Sequence, residues 1–185
     1  MKTIKSALIS VYYKDGLDVL IHTLAKHNVT FYSTGGTQAF IENLGYKVIP
    51  VEELTSYPSI LGGRVKTLHP KVFGGILARR DHENDLKELA QFNIETIDLV
   101  VVDLYPFEET VTNTSVEQEI IEKIDIGGIS LIRATAKNYK DTAIICHNDQ
   151  YEVVSKLLSE QEGRLTEGQR RHLATAAFAT TAHYD

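Results

Sequence analysis

Residues 4–24, I-K-S-A-L-I-S-V-Y-Y-K-D-G-L-D-V-L-I-H-T-L, contain two different hydrophobic patterns in succession. Residues 4–11 are apolar on both faces, which is typical of a strand buried inside a parallel sheet. The apolar residues after them have the i, i+3, i+4, i+7 spacing of an amphipathic helix and are Leu17, Leu20, Ile21 and Leu24. This stretch therefore predicts a strand that is followed by a crossover helix.

The same alternation continues along the chain. Further two-sided apolar runs lie at residues 29–32, 47–51, 97–104 and 142–146. Helix starts are predicted by capping-box spacings at Thr114…Glu117 and Thr166…Gln169, and by Asn148 after the last strand. The pattern predicts an α/β fold, doubly wound, with a mainly parallel five-stranded sheet and helices on both faces. Ligands of such folds bind beyond the carboxyl ends of the strands.

The composition is that of one globular domain over residues 1–185, because 43% of the residues are hydrophobic and 24% are charged. No flexible linker or internal repeat divides the chain. The last helical stretch, residues 169–185, has no Gly, Asn or Pro stop signal, so we expect this domain to be the N-terminal part of a longer chain.

Charge and cysteine content exclude several classes of protein. The formal net charge of −6 argues against a nucleic-acid-binding face, and no apolar run has the length of a membrane span. The single cysteine, Cys146, excludes a disulfide framework and indicates a reducing compartment, for which the cytoplasm is expected. The seven histidines lack metal-ligand spacing, and no dinucleotide or Walker motif is present, so neither a metal nor a cofactor is predicted.

Two glycine-containing segments are candidates for binding an anion. Residues 33–37, S-T-G-G-T, leave a predicted strand and enter a predicted helix, where free backbone N–H groups favour phosphate; the alternative is an N-capped tight turn. Residues 62–71, G-G-R-V-K-T-L-H-P-K, carry three strong cations with few acids nearby in an acidic protein; the alternative is a basic loop without a ligand.

Two more segments add polar groups at element ends. Residues 103–107, D-L-Y-P-F, follow an apolar strand and place Tyr105 where a bound ring would lie, although Tyr-Pro is also a common strand end. Residues 125–128, D-I-G-G, offer a helix N-cap or an acid–base carboxylate beside free N–H donors. Arg133 and Lys137 form an i, i+4 pair of like charge, which is unfavourable unless an anion is near.

Together with R-A-T-A-K-N at residues 133–138, these segments resemble the IMP cyclohydrolase domain of the bifunctional purine-biosynthesis enzymes, in order and over almost the whole chain. The resemblance implies a methylglyoxal-synthase-like fold and the dehydrative closure of 5-formamidoimidazole-4-carboxamide ribotide to inosine monophosphate (IMP). It also implies a homodimer and, in a full-length parent, a second domain with AICAR formyltransferase activity.

The resemblance assigns roles to individual residues. The implied catalytic residues are Lys66, Tyr105, Asp125 and Lys137. The implied substrate-binding residues are Lys14, Ser33, Gly35, Gly36, Thr37, Arg64, Thr67, Gly127 and Gly128. This chain departs from the family pattern at Tyr12 and Tyr13, where the family has a small hydroxyl residue and an acid, and at Asp103, where it commonly has Asn.

Two other functions share part of the pattern. A methylglyoxal-synthase-like lyase needs a carboxylate base beside a triose phosphate, and R-V-K-T-L-H-P at residues 64–70 argues against it. A non-catalytic nucleotide-binding regulatory domain would have no reason to keep Lys66, Asp125 and Lys137. In the ring closure, Lys66 is expected to stabilise the oxyanion, whereas Asp125 and Lys137 are expected to move protons.

Overall fold

The computed structural model describes residues 1–185 and contains a central parallel sheet. The strands are β1 (Lys2–Thr3), β2 (Ser6–Ser10), β3 (Thr30–Ser33), β4 (Val48–Pro50), β5 (Leu99–Val102), β6 (Ala143–Ile145) and β7 (Arg164–Leu165). The sheet has the order β4-β3-β2-β5-β6, and every neighbouring pair is parallel. All five predicted strands are confirmed. The antiparallel pair of β1 and β7 was not predicted, because two-residue strands are too short to carry a periodic pattern.

Helices fill the connections between the strands. They are α1 (Leu17–Lys26), α2 (Gly35–Asn43), α3 (Val51–Thr55), α4 (Pro70–Leu77), α5 (Glu83–Gln91), α6 (Phe107–Asn113), α7 (Glu117–Ile121), α8 (Gly127–Lys137), α9 (Gln150–Glu160) and α10 (Glu167–Tyr184). A single 3₁₀ turn, Leu61–Gly63, interrupts the connection between α3 and α4.

Of the two predicted capping boxes, the structure contains one and lacks the other. The capping box of α10 is confirmed, since Thr166 Oγ1 accepts from the Gln169 N–H and the Gln169 side chain accepts from the Thr166 N–H. The capping box predicted at Thr114 is wrong. Thr114 ends α6, and its hydroxyl accepts from the N–H of Val116, which precedes α7.

The connections run in two directions from the middle of the sheet. The path β2-α1-β3 moves toward one edge, and the path from β5 through α8 to β6 moves toward the other. Because parallel crossovers are right-handed, α1 and α8 lie on opposite faces. α1 packs against α9, and α8 packs against α10 and α4. The doubly wound α/β fold is therefore confirmed, and its reversal of direction between β2 and β5 opens a crevice at their carboxyl ends.

The sheet is the centre of the hydrophobic core. Leu8, Ile9, Val100 and Val101 are fully buried, as the two-sided apolar runs predicted. Cys146 is 2% exposed, and burial raises the pKa of its thiol, which is consistent with an inert core residue. None of the helices combines the length and the apolarity that crossing a bilayer requires.

Candidate active site

A cavity of about 900 Å³ lies in the crevice between β2 and β5. Its walls are the loop after β2, the first turn of α2, the connection before α4, the residues after β5 and the start of α8. Most of the predicted site residues line it, namely Lys14, Gly36, Thr37, Arg64, Lys66, Thr67, Tyr105, Asp125, Gly127 and Gly128. Segments far apart in the sequence thus meet in one place.

The start of α2 offers backbone donors to an anion. Gly35 and Gly36 are its first two residues, so their N–H groups have no partner within the helix. Gly35 has a φ of 47°, which favours glycine, and a Cβ on either residue would meet no atom within 4 Å. The Lys14 ammonium lies nearby on the loop after β2, where it donates to the carbonyls of Val11 (2.6 Å) and Tyr12 (2.9 Å).

The hydroxyl groups of this turn have structural partners. Ser33 is fully buried, does not line the cavity, and donates to the Ile9 carbonyl at 2.6 Å. Thr37 Oγ1 donates to the Val11 carbonyl (3.0 Å) and accepts from the Val11 N–H (3.1 Å). The expectation that the Ser33 hydroxyl binds a ligand is therefore wrong, because that hydroxyl joins β3 to β2.

Two hydroxyl groups at the same end of the cavity are better placed. The hydroxyls of Ser10 and Thr34 lie 3.0 Å apart, and both residues line the cavity. Sequence reasoning did not select Ser10. Ser10 is the last residue of β2, at the carboxyl end of a strand that borders the crevice. That position identifies it as a candidate binding residue.

Asp125 caps α8 and also faces the cavity. Its Oδ1 accepts from the Gly128 N–H at 2.6 Å, and a Cβ on Gly128 would lie 2.6 Å from Oδ2, so this approach requires glycine. Burial raises the pKa of Asp125, although backbone N–H groups of Gly128, Tyr105 and Ile129 oppose the rise. The Gly128 N–H is thus engaged, and Gly127, as the first residue of α8, supplies the free donor.

The basic connection before α4 contributes one cation without an acidic partner. Arg64 forms an ion pair with Glu122, and both side chains are exposed. No carboxylate lies within ion-pair distance of Lys66, which is half-buried. Thr67 is buried, and a Cβ on Gly127 would lie 3.3 Å from its Oγ1, so this connection packs against the start of α8. Lys66 is the strongest candidate for contact with a negative charge.

Asp103, for which the sequence indicated no role, fixes the loop after β2. Its two carboxylate oxygens accept from the N–H groups of Tyr12 and Tyr13. Burial raises the pKa of Asp103, against the opposing effects of these N–H groups and of Lys14. The carboxylate therefore joins the end of β5 to the end of β2 across the crevice between these two strands.

Lys137 and Gly35 do not line the cavity. Lys137 is exposed at the last residue of α8, ten residues after Gly127, which corresponds to about 15 Å along the helix. The expectation that Lys137 and Asp125 interact is therefore wrong within one chain, because they lie at opposite ends of α8. The neighbouring Arg133 packs over the Phe178 ring at 5.6 Å, so no anion is needed to explain the like-charged pair.

The fold and the cavity agree with comparisons to known families. A family model described as the MGS-like domain matches residues 16–130, which include most of the residues that line the cavity. The chain belongs to the MGS-like domain family. Beyond that match, a model of the AICARFT/IMPCHase bienzyme family matches residues 135–185, within which α9 and α10 lie.

Relatives of this MGS-like domain come from several bacteria. The bifunctional purine biosynthesis protein PurH of Bacteroides thetaiotaomicron is 57% identical over 184 residues, which cover 100% of this chain and 36% of PurH. PurH of Corynebacterium glutamicum (strain R) is 48% identical, with 100% of this chain and 35% of that protein covered. The chain thus spans about a third of the length of these relatives.

A solved structure confirms the fold. The crystal structure of ForH is similar with a TM-score of 0.85 and 33% sequence identity, over 99% of this chain and 96% of that chain. The predicted membership in the family of the bifunctional purine-biosynthesis enzymes is confirmed by the PurH relatives and by both family models.

Proposed function

We propose that this chain is an IMP cyclohydrolase, which closes 5-formamidoimidazole-4-carboxamide ribotide to IMP with loss of water. The observation that carries the proposal is the arrangement within one cavity of free N–H donors on α2, the unpaired cation of Lys66 and the half-buried carboxylate of Asp125. The similarity to bifunctional purine biosynthesis proteins supports it, and in a full-length parent a formyltransferase domain would accompany it.

The cavity suits this reaction chemically. The start of α2 binds the 5′-phosphate. With the phosphate there, the heterocycle lies between Tyr105 and the start of α8. The carboxamide nitrogen attacks the formyl carbon, a nitrogen–carbon bond forms, and the formyl oxygen becomes an oxyanion. Lys66 and the Gly127 N–H stabilise that oxyanion, while Asp125 accepts the amide proton. Asp125 then returns this proton to the oxyanion, the formamide nitrogen gives up its own proton, and the oxygen leaves as water while the ring carbon–nitrogen double bond forms.

The role of Lys66 provides the direct test. Purified protein is incubated with the formylated ribotide, and IMP is measured by chromatography. Lys66→Ala should lower kcat on the order of a hundredfold or more, because a donor to a developing oxyanion acts in the transition state. The matched control is Lys156→Ala, since Lys156 is an exposed lysine of α9 outside the cavity. Absence of IMP with the unaltered protein would overturn the proposed function.

We also propose a homodimer in the cytoplasm whose ligand is a small ribonucleotide rather than nucleic acid or membrane lipid. The single cysteine and the net charge of −6 support the compartment and the ligand class. Exposed apolar side chains within α6 and directly before α7, Val111 and Val116, support association. Sedimentation velocity at micromolar concentration tests the dimer, and a monomer would contradict it.

A further inference from the structure

Three side chains separate the cavity described above from a second cavity of about 450 Å³. Tyr12 lines both cavities, Tyr105 lines only the larger one, and Lys123 lines only the smaller one. The rings of Tyr12 and Tyr105 meet edge to face, with centroids 5.8 Å apart. Lys123 Nζ lies 5.2 Å from the Tyr12 centroid and 5.6 Å from the Tyr105 centroid. We call these three residues the aromatic wall.

Neighbouring groups hold the Tyr12 side of the aromatic wall in place. The Tyr12 N–H donates to Asp103, and the ring of Tyr13 lies edge to face against that of Tyr12 at 5.0 Å. The Tyr13 hydroxyl in turn donates to Glu109 at 3.2 Å. Tyr12 is nevertheless 44% exposed, so burial in the core does not explain its position. A large aromatic ring that is fixed but uncovered is suited to contact a ligand.

Tyr12 lies between the two ends of the larger cavity. It directly follows Val11, whose backbone is held by the Thr37 hydroxyl at the first turn of α2. Its ring reaches Tyr105, which lies in the part of the cavity that also contains Asp125. Tyr12 therefore spans the distance between the anion-binding turn and the groups proposed to act on the heterocycle.

We propose that Tyr12 determines specificity for the heterocycle of the bound ribonucleotide, by packing its ring against that heterocycle in the larger cavity. Lys123 lies over the ring and lines only the smaller cavity, whereas Tyr12 also lines the larger one, where the ligand would contact it. This inference rests on the proposed function. Aromatic side chains stack on the face of a heterocycle, and a ring that is already fixed loses little freedom on binding.

Calorimetric titrations with two ligands test the role of Tyr12. IMP carries phosphate, ribose and heterocycle, whereas ribose 5-phosphate lacks the heterocycle. Tyr12→Ala should weaken IMP binding roughly tenfold and leave ribose 5-phosphate binding unchanged, because only the ring contact is lost. Tyr12→Phe should bind both ligands as the unaltered protein does. Phe92→Ala is the matched control, since Phe92 is 57% exposed and lines neither cavity.

The remaining outcomes contradict the inference in distinguishable ways. Unchanged IMP affinity in Tyr12→Ala shows that the ring does not contact the heterocycle. A parallel loss for both ligands, at an unchanged melting temperature, shows that Tyr12 acts on the phosphate-binding turn instead. If the unaltered protein neither binds IMP nor forms it from the formylated ribotide, the proposed function fails as well. If it forms IMP while Tyr12→Ala binds normally, only the inference about Tyr12 fails.

Discussion

At the scale of single residues, Asp125 combines two tasks in one carboxylate. Its bond to the Gly128 N–H stabilises the start of α8, and its burial raises its pKa. A carboxylate with a raised pKa is a stronger base than an exposed aspartate, which suits removal of an amide proton. A structural cap alone needs no such shift, so the two roles of Asp125 are separable by experiment.

We predict that Asp125→Asn lowers kcat strongly and removes the acidic limb of the kcat profile. In the unaltered protein, kcat should rise with pH through the raised pKa, because only the ionised carboxylate accepts a proton. The measurement is kcat from pH 4 to pH 8, on protein whose circular dichroism shows an intact fold. An unchanged acidic limb in Asp125→Asn would assign it to another group and leave Asp125 as a cap only.

The same substitution has a predicted sign for stability. A raised folded-state pKa means that the stability contribution of Asp125 is complete below its unfolded pKa and is lost as the pH rises through the folded pKa. Neutral Asn does not undergo this loss. The melting temperature of Asp125→Asn, relative to that of the unaltered protein, should therefore be higher at pH 7 than at pH 4.

At the scale of elements, the first turns of α8 and α10 make a matched comparison. Gly128 and Gly168 are each the second residue of their helix, and neither has a positive φ. A Cβ on Gly128 would lie 2.6 Å from Asp125 Oδ2, whereas a Cβ on Gly168 would meet only Thr166 Oγ1, at 3.9 Å. The two helices thus use glycine for different reasons.

We predict opposite outcomes for the two alanine variants. Gly168→Ala should raise the free energy of unfolding by up to about 1 kcal/mol, because alanine loses less backbone entropy than glycine on folding. Gly128→Ala should lack this gain and should lower kcat, because the new methyl group displaces the Asp125 carboxylate. Urea titration and the IMP assay measure both effects. Equal gains in stability with unchanged kcat would show that Asp125 moves aside without consequence.

At the scale of the whole molecule, a cluster of charged side chains connects several segments at the end of the sheet opposite the cavity. Asp141, which is 8% exposed, pairs with Lys2 at 2.7 Å and accepts from the Arg80 N–H at 3.1 Å. The Arg80 guanidinium donates to the carbonyls of Gly75 and Ile97. Strand β1, the residues after α4 and the residues before β6 are thereby joined, at a distance from the proposed chemistry.

We predict that Asp141→Asn destabilises the protein by roughly 1 kcal/mol at pH 7 and by less at pH 3, with kcat unchanged below the melting transition. The pKa of Asp141 is lowered by Lys2 and by the Arg80 N–H, despite its burial. A lowered folded-state pKa contributes stability that is present above the unfolded pKa and is lost as the pH falls through the folded pKa. Denaturant titrations at both pH values measure the difference, and an equal effect at both would exclude a charge-dependent role.

The sequence by itself determined the parallel strands, the doubly wound architecture and the main segments of the cavity. Strand and helix periodicity is local, and in a doubly wound sheet the carboxyl ends of the strands meet at one edge, so residues 33–37 and 103–107, which follow β3 and β5, were predictable as neighbours. The partners of individual polar groups were decided only by tertiary structure. Ser33 is engaged by Ile9, Arg64 by Glu122 and Tyr12 by Asp103, contacts that join residues 24 to 91 positions apart. No local pattern specifies such partners, because burial and hydrogen bonding depend on which distant elements pack together. Lys137 is a different case, because its distance from Asp125 follows from the rise along α8 alone.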